Sequence, residues 1–115
     1  MNTTDKEKIE QIVETRKKAH GYYLKKSKVY RSFLSMEKAT YSDGDLNKRT
    51  KELIAIGISV VINCESCMEW HIKQALDDGA TVEQVIEAIG VGMEMGGGPA
   101  TASARFAMNV LEHYS

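Results

Sequence analysis

The stretch from Leu46 to Ile62 reads LNKRTKELIAIGISVVI, and its secondary structure decides the fold of the chain. Its second half is rich in β-branched residues, which is typical of a buried strand. Its first half, NKRTKEL, favours a helix, and the whole stretch is long for a strand. We therefore predict one helix that is polar at its start and buried at its end.

Upstream of this stretch the sequence predicts two amphipathic helices. The first runs from Asp5 to about His20, and Gly21 is expected to interrupt it. Its stripe at helical spacing consists of Ile9, Ile12, Val13, Arg16 and Ala19. The second helix ends near Ala39, and its stripe contains Val29, Tyr30, Phe33 and Leu34.

Downstream, three signals mark the ends of helices. The segment ESCMEWHIKQALDD should be helical and stop at Gly79, which suits the position after a helix C-cap. Thr81 and Gln84 fit a capping box at the start of the next helix. MGGGPA breaks the chain again, and Pro99 suits the first turn of a last helix.

These segments add up to an all-α protein of about five or six helices. A length of 115 residues is enough for one domain and too short for two. We assign residues 1–115 to a single domain, with N-terminal helices in 1–42 and a core in 43–112. The central helices have little polar surface for so small a chain, so we expect the protein to self-associate.

Composition limits the possible partners and the compartment. The net charge is −1 and no basic run stands out, which argues against nucleic acid and against an acidic membrane surface. No apolar run is long enough to span a bilayer, and the polar N-terminus does not resemble a signal peptide. We therefore expect a cytoplasmic protein, in which a Cys-x-x-Cys pair is more often catalytic or metal-binding than structural.

The stretch VVINCESCMEWH, residues 60–71, contains both cysteines of the chain. If Asn63 is the helix N-cap, Cys64 and Cys67 lie in the first turn, where free N–H groups and the helix dipole stabilise a thiolate. Cys67 and His71 are four residues apart and share a face, so the imidazole could take the thiol proton. Cys64, one turn before Cys67, could then close a disulfide.

A histidine that acts as a base is usually oriented by a carboxylate. Glu65 and Glu69 flank the cysteines, but their helical positions direct them toward other faces. Glu52 is the better candidate because it lies where the preceding helix turns from polar to apolar. A carboxylate that enters a buried region needs a partner, and the antiparallel return of the chain could bring His71 to it.

With these residues the segment from Leu46 to about Ala104 resembles the core of the carboxymuconolactone decarboxylase and alkyl hydroperoxidase D superfamily. The matching pattern is Glu52 and the Cys-x-x-Cys-x3-His motif, followed by ALDDGAT and IEAIGV. The resemblance implies a helical domain that assembles into dimers, trimers or hexamers. It also implies a thiol-dependent peroxidase that needs no bound cofactor or metal. The cysteine pair points away from lactone decarboxylation, which does not depend on it.

The resemblance also implies a role for each residue. Cys67 would be the peroxidatic cysteine, and Cys64 would protonate the leaving alkoxide and then resolve the sulfenic acid. His71 and Glu52 would relay protons. The helix dipole alone would instead favour Cys64 as the nucleophile. Ser66 stands where peroxidases of this family often have a second histidine, which weakens the expectation of strong peroxidase activity.

The expected substrate is a hydroperoxide. We expect Ile, Val and Met side chains to line the pocket beside the thiols, which would suit an organic hydroperoxide. By resemblance alone, the reductant would be a small dithiol or a lipoyl-type carrier.

Other interpretations of the cysteine pair stay open. Zinc normally takes four ligands, and His20 and His113 lie near the two ends of the chain, so a metal would have to bridge subunits. A thioredoxin-like protein would need more strands and a cis-proline, for which Pro99 is the sole candidate. The pair could also belong to a general disulfide reductase, or to a redox-sensing or metal-sensing assembly module without peroxidase turnover.

Overall fold

The computed structural model describes residues 3–115, and these residues form five α-helices and no strand. In chain order the helices are α1 (Thr3–Lys26), α2 (Lys28–Thr40), α3 (Lys48–Val61), α4 (Glu65–Asp77) and α5 (Val82–Tyr114). The all-α prediction is confirmed. Within the described residues, α3, α4 and α5 pack against one another, α1 touches α4 and α5, and α2 packs against α1 alone.

The stretch that decides the fold is helical. Asn47 caps α3, because its side chain accepts a hydrogen bond from the Thr50 N–H. Ile56 and Val60 are fully buried on one face of α3, so tertiary packing outweighs the strand preference of the β-branched residues.

The first helix is longer than predicted. Gly21 does not interrupt it, and α1 continues to Lys26. The break comes at Ser27, whose backbone is extended. Its side-chain hydroxyl caps α2 by accepting a hydrogen bond from the Tyr30 N–H. The prediction was wrong because a single glycine weakens an exposed helix without ending it, whereas a serine cap offers the next helix a start.

The predicted boundaries around α4 and α5 are confirmed. Gly79 follows the C-cap of α4 with a φ of 92°, a left-handed conformation that glycine adopts without strain. Thr81 and Gln84 form the capping box of α5. The last predicted break lies at Gly97, where φ is 69° and ψ is −147°, and Pro99 follows as the chain resumes its helix.

The core lies between α3, α4 and α5, with a contribution from α1. The fully buried hydrophobic side chains include Ile9, Ile56, Val60, Met68, Ile72, Val85, Ile89 and Val110. Helices α3 and α5 come close together at Gly57 and Gly92. A β-carbon added at Gly92 would lie 2.6 Å from the Gly57 carbonyl oxygen, so any side chain at residue 92 would force the two helices apart.

No helix within residues 3–115 is both long and apolar enough to cross a membrane.

Candidate active site

The two cysteines form a disulfide at the start of α4. Cys64 is the N-cap of the helix, and Asn63 before it has a left-handed φ of 53°. The Cys64 Sγ atom accepts a hydrogen bond from the Cys67 N–H at 3.1 Å. The assignment of Asn63 as N-cap was therefore wrong by one residue, because a sulfur atom takes the place that an Asn or Ser oxygen usually fills.

This geometry favours negative charge on Cys64. A thiolate at an N-cap is stabilised by the N–H it accepts and by the positive end of the helix dipole. The position of His71 favours charge on Cys67, which lies one turn away on the same face of α4. The two thiols thus have different sources of stabilisation, and both side chains are partly buried.

His71 and Glu52 meet as the sequence predicted. The Nδ1 atom of His71 lies 2.6 Å from Glu52 Oε1, and the glutamate is only 1% exposed. An ionised carboxylate can only accept, so Nδ1 donates and Nε2 keeps the lone pair that a base needs. Within residues 3–115, no hydrogen bond joins the imidazole to either sulfur in this disulfide form.

A lysine that the sequence analysis missed balances the buried carboxylate. Lys48, one turn before Glu52 on α3, places its Nζ atom 3.2 Å from Glu52 Oε2 and also pairs with Asp78 at the end of α4. Burial lowers the pKa of Lys48, but its hydrogen bonds to Asp78 and Glu52 outweigh this and raise the pKa. The i, i+4 spacing of Lys48 and Glu52 was the available signal.

Tyr41 covers the other side of the histidine. It is the C-cap residue of α2, and its ring centroid lies 5.2 Å from that of His71, with an angle of 35° between the planes. Burial, followed by the charges of Glu52 and Glu37, raises the pKa of Tyr41. The phenol therefore stays protonated near neutral pH. Nothing in the local sequence pointed to this contact.

A second polar cluster lies beside the disulfide. Arg16 of α1 donates to the Ser66 carbonyl at 2.9 Å and to the Ser66 hydroxyl at 3.0 Å. Its Nη1 atom lies 2.5 Å from Oε1 of the buried Glu69, an ion pair without the angles of a hydrogen bond. The Tyr114 hydroxyl donates to the other Glu69 oxygen. Burial and then this bond raise the pKa of Tyr114.

The sequence contained one signal for this cluster, an arginine within the apolar stripe of α1. Glu69 was expected to point away from the cysteine face, and its partners are indeed Arg16 and Tyr114. That its face is buried could not be foreseen from α4 alone, because α1 and the end of α5 supply the partners.

A groove that could take a hydrophobic ligand lies away from the cysteines. An apolar groove of about 640 Å³ runs along the surface of α3 and the first half of α5, and Ile54, Ile58, Val61, Val91 and Met95 are among its lining residues. Neither cysteine nor His71 lines it. This groove is therefore not the Ile, Val and Met pocket that was predicted beside the thiols.

No group of three or more His, Cys, Asp or Glu residues that could hold a metal ion occurs within residues 3–115.

Curated relatives share most of this chain. The "Uncharacterized protein 4 in cox locus" of Paracoccus denitrificans is 47% identical over 81 residues, which are 70% of this chain and 73% of the relative. An uncharacterized protein of Cupriavidus necator is 40% identical over 83 residues, 72% of this chain and 71% of the relative.

Solved structures match the fold over nearly the whole chain. A carboxymuconolactone decarboxylase family protein from Legionella pneumophila has a TM-score of 0.86 at 30% identity, over 94% of this chain and 97% of the other. A carboxymuconolactone decarboxylase family protein from Thermotoga maritima, "possibly involved in antioxidative response", has a TM-score of 0.82 at 27% identity, over 90% of this chain and 88% of the other.

The family model for carboxymuconolactone decarboxylase matches residues 27–109. The match begins before α2, upstream of the segment in which the sequence resemblance was recognised. It includes Glu52, both cysteines and His71. The chain belongs to the carboxymuconolactone decarboxylase family.

Proposed function

We propose that this protein is a thiol-dependent peroxidase that reduces hydroperoxides through Cys67 and Cys64. The observation that carries the proposal is the buried Glu52–His71 hydrogen bond of 2.6 Å, one helical turn from a Cys64–Cys67 disulfide. A purely structural disulfide does not require an imidazole oriented by a buried carboxylate.

In the proposed cycle, His71 first takes the proton of Cys67 through Nε2, while Glu52 stabilises the imidazolium. The Cys67 thiolate attacks the distal oxygen of the hydroperoxide, and the O–O bond breaks. Cys67 becomes a sulfenic acid, and the alkoxide takes the proton of Cys64 and leaves as an alcohol. The Cys64 thiolate then attacks the Cys67 sulfur, and the hydroxyl leaves as water with the proton from His71.

The cycle closes by thiol–disulfide exchange with an external dithiol, such as a small dithiol or a lipoyl-type carrier. The dithiol gives up two electrons and two protons, and both cysteines return to thiols. A hydroperoxide is the substrate class in this proposal. Ser66 next to Cys67 cannot act as a base near neutral pH, so His71 serves as the base for Cys67 in this cycle.

Intact-mass spectrometry after one equivalent of cumene hydroperoxide tests the proposal on the reduced wild type, Cys64→Ser and Cys67→Ser. We expect the wild type to lose two hydrogens and Cys64→Ser alone to give a sulfenic acid that dimedone traps. A sulfenic acid only in Cys67→Ser would exchange the two roles. No rapid change in any of the three proteins would overturn the peroxidase proposal.

A second candidate function is disulfide exchange with another protein, without peroxide turnover. The N-cap position of Cys64 favours it, because a stabilised thiolate at the start of a Cys-x-x-Cys helix is a good leaving group. Turnover of a disulfide substrate by the wild type, together with slow reaction of both single variants with peroxide, would support this function over the first.

We also propose that the protein self-associates. In the arm, which we define as residues 20–40, Val29 is 80% and Phe33 is 51% exposed, and α2 buries no residue. The groove between α3 and α5 is a second uncovered apolar surface, and Glu87 lines it whereas the arm carries Lys28. The complementary charges and apolar faces favour docking of the arm of one copy in the groove of another.

Size-exclusion chromatography with light scattering measures the mass of this assembly. We expect an oligomer for the wild type and a smaller species for Lys28→Glu and for Glu87→Lys. The two variants mixed together should recover the oligomer. In a contact between one variant and the other, residue 28 and residue 87 again carry opposite charges. A wild-type monomer at tens of micromolar would overturn this proposal.

A further inference from the structure

The peptide group between Ser66 and Cys67 is held from both sides. Its N–H, which belongs to Cys67, donates to the Cys64 sulfur at 3.1 Å. Its carbonyl, which belongs to Ser66, accepts from Arg16 Nη2 at 2.9 Å. A charged donor on the carbonyl polarises the peptide and makes its N–H a stronger donor.

Arg16 is itself fixed in place by three groups besides this carbonyl. The Ser66 hydroxyl accepts a second bond from it, and Glu69 pairs with its Nη1 atom. Its guanidinium also lies 5.2 Å from the centroid of the Trp70 ring. Tyr114 in turn holds Glu69 from α5. The arginine is therefore an ordered contact from a distant part of the chain, and its side chain is largely buried.

We propose that Arg16 is a positioning residue for Cys64: by holding the Ser66 carbonyl it keeps the Cys67 N–H on the Cys64 sulfur and stabilises the Cys64 thiolate. The proposal deepens the peroxidase cycle and rests on it for its role in turnover. Its physical content, the stability of one thiolate, can be measured without peroxide.

The cycle explains why charge on Cys64 matters. When Cys64 gives its proton to the alkoxide, negative charge is left on its sulfur. When the external dithiol attacks the Cys67 sulfur, the S–S bond breaks and Cys64 leaves as a thiolate. A group that stabilises this thiolate favours both steps, because an acid with a stable conjugate base donates readily and a low-pKa thiol leaves faster.

Other charged groups on and around α4 bond to side chains. Lys8 of α1 pairs with Glu65, and Glu52 of α3 pairs with Lys48 and His71. From α5, the Tyr114 hydroxyl bonds Glu69. Arg16 differs from these groups because it bonds the peptide between the cysteines.

The reduction potential of the disulfide is the first measurement, made by equilibration with dithiothreitol at pH 7.5. We expect Arg16→Gln to shift the equilibrium about threefold toward the disulfide, because the reduced form loses part of its stabilisation. Arg16→Lys should recover part of the shift by keeping the charge. Arg31→Gln is the matched control, since Arg31 also donates to a main-chain carbonyl, that of Leu24, away from the cysteines.

The second measurement follows the same thiol directly. In a Cys67→Ser background, the pH dependence of alkylation by iodoacetamide reports the pKa of Cys64. We expect Arg16→Gln to raise this pKa by about half a unit, the same threefold change expressed as a proton affinity. A potential and a Cys64 pKa that both match the wild type, in a folded Arg16→Gln protein, would overturn the proposal.

Loss of Arg16 also leaves Glu69 buried without its cation, which destabilises the fold. The double variant Arg16→Gln/Glu69→Gln removes that charge, and circular dichroism checks its helix content. We expect it to keep the shifted potential. A return to the wild-type potential would attribute the shift to the unpaired Glu69 and overturn the proposal. A shifted potential without peroxide turnover would contradict the proposed peroxidase and leave the role of Arg16 supported.

Discussion

The core of α3, α4 and α5 and the arm, residues 20–40, differ in what surrounds their apolar side chains. In the core, Ile56, Ile72 and Ile89 are completely buried against neighbouring helices of the same chain. In the arm, Val29 and Phe33 remain exposed although they lie on an equally regular helix. The core is therefore stable through contacts within one chain, whereas Val29 and Phe33 of the arm remain open to solvent.

The two regions meet at the candidate active site. Glu52 and His71 belong to the core, and Tyr41, the C-cap residue that directly follows the arm, lies against the His71 ring. Chemistry should therefore depend mainly on the core, and the arm should affect it through Tyr41. The following changes test this division of roles, from the largest expected effect to the smallest.

Glu52→Gln should have the largest effect. Glutamine can still accept from His71 Nδ1, but it cannot stabilise an imidazolium by charge. We expect peroxide turnover to fall about 100-fold, the lower range for loss of assisted proton transfer. Glu37→Gln, a matched change in the arm, should leave turnover within about twofold. Equal losses in both variants, measured at saturating reductant, would contradict the assignment of Glu52.

Gly92→Ala should destabilise the core without touching the site. Its new methyl group would meet the Gly57 carbonyl at 2.6 Å, so α3 and α5 must separate. We expect a loss of about 2 kcal/mol, typical of overpacking. Gly90→Ala on the same helix is the control, since nothing lies within 4 Å of its added carbon. It should be stabilising by about 0.5 kcal/mol, and urea unfolding of both variants measures the contrast.

Tyr114→Phe tests how the stability of the core depends on pH in the alkaline range. Because the pKa of Tyr114 is raised in the folded state, the unfolded chain loses this proton first. Stability should therefore fall as the pH rises above about 10, the ordinary tyrosine pKa. Phenylalanine should make this fall shallower, while at pH 7 it leaves Glu69 with one bond fewer, a loss of about 1 kcal/mol.

Thermal unfolding at pH 7 and at pH 10.5 measures both effects. Tyr22→Phe in the arm, where the ring is exposed, should leave the pH profile of the wild type unchanged. A fall as steep in Tyr114→Phe as in the wild type would show that another group causes the alkaline loss.

Phe33→Asp should have the smallest effect on the subunit itself. The side chain is half exposed and α2 buries nothing, so we expect a change within about 0.5 kcal/mol in monomer stability. Self-association, in contrast, should be lost. Ser32→Asp, also exposed on α2, adds the same charge without removing an apolar contact and should keep the assembly. Loss of helix content in Phe33→Asp would show that the arm supports the fold.

Periodicity and capping residues predicted most of the fold. The helical reading of Leu46–Ile62, the glycine after α4 and the Thr81–Gln84 capping box are local properties, so the sequence carries them. The error at Gly21 arose because the cap at Ser27, six residues later, ended the helix. When a glycine and a serine cap both lie on the surface, helix propensity and capping preference do not decide which of the two ends the helix.

The site was predictable where one helix or one family motif specifies it. Cys64, Cys67 and His71 share α4, and Glu52 was suggested by its place in a buried face. Lys48 was detectable only as an i, i+4 partner, and its second partner Asp78 comes from another helix. Tyr41 and Arg16 could not be placed, because their contacts join residues 30 and 50 positions apart.

The break at Gly97 has a consequence for how this small chain could change its behaviour over evolution. The part of α5 before the break lines the groove, through Val91 and Met95, whereas the part after it ends at Tyr114, which holds Glu69. In one straight helix, the orientation of the groove residues and that of Tyr114 would be tied to each other. With a break between them, substitutions that reorient the proposed assembly surface need not reorient Tyr114 and its bond to Glu69. The proposed self-association and the reactivity of the disulfide could then change separately during evolution.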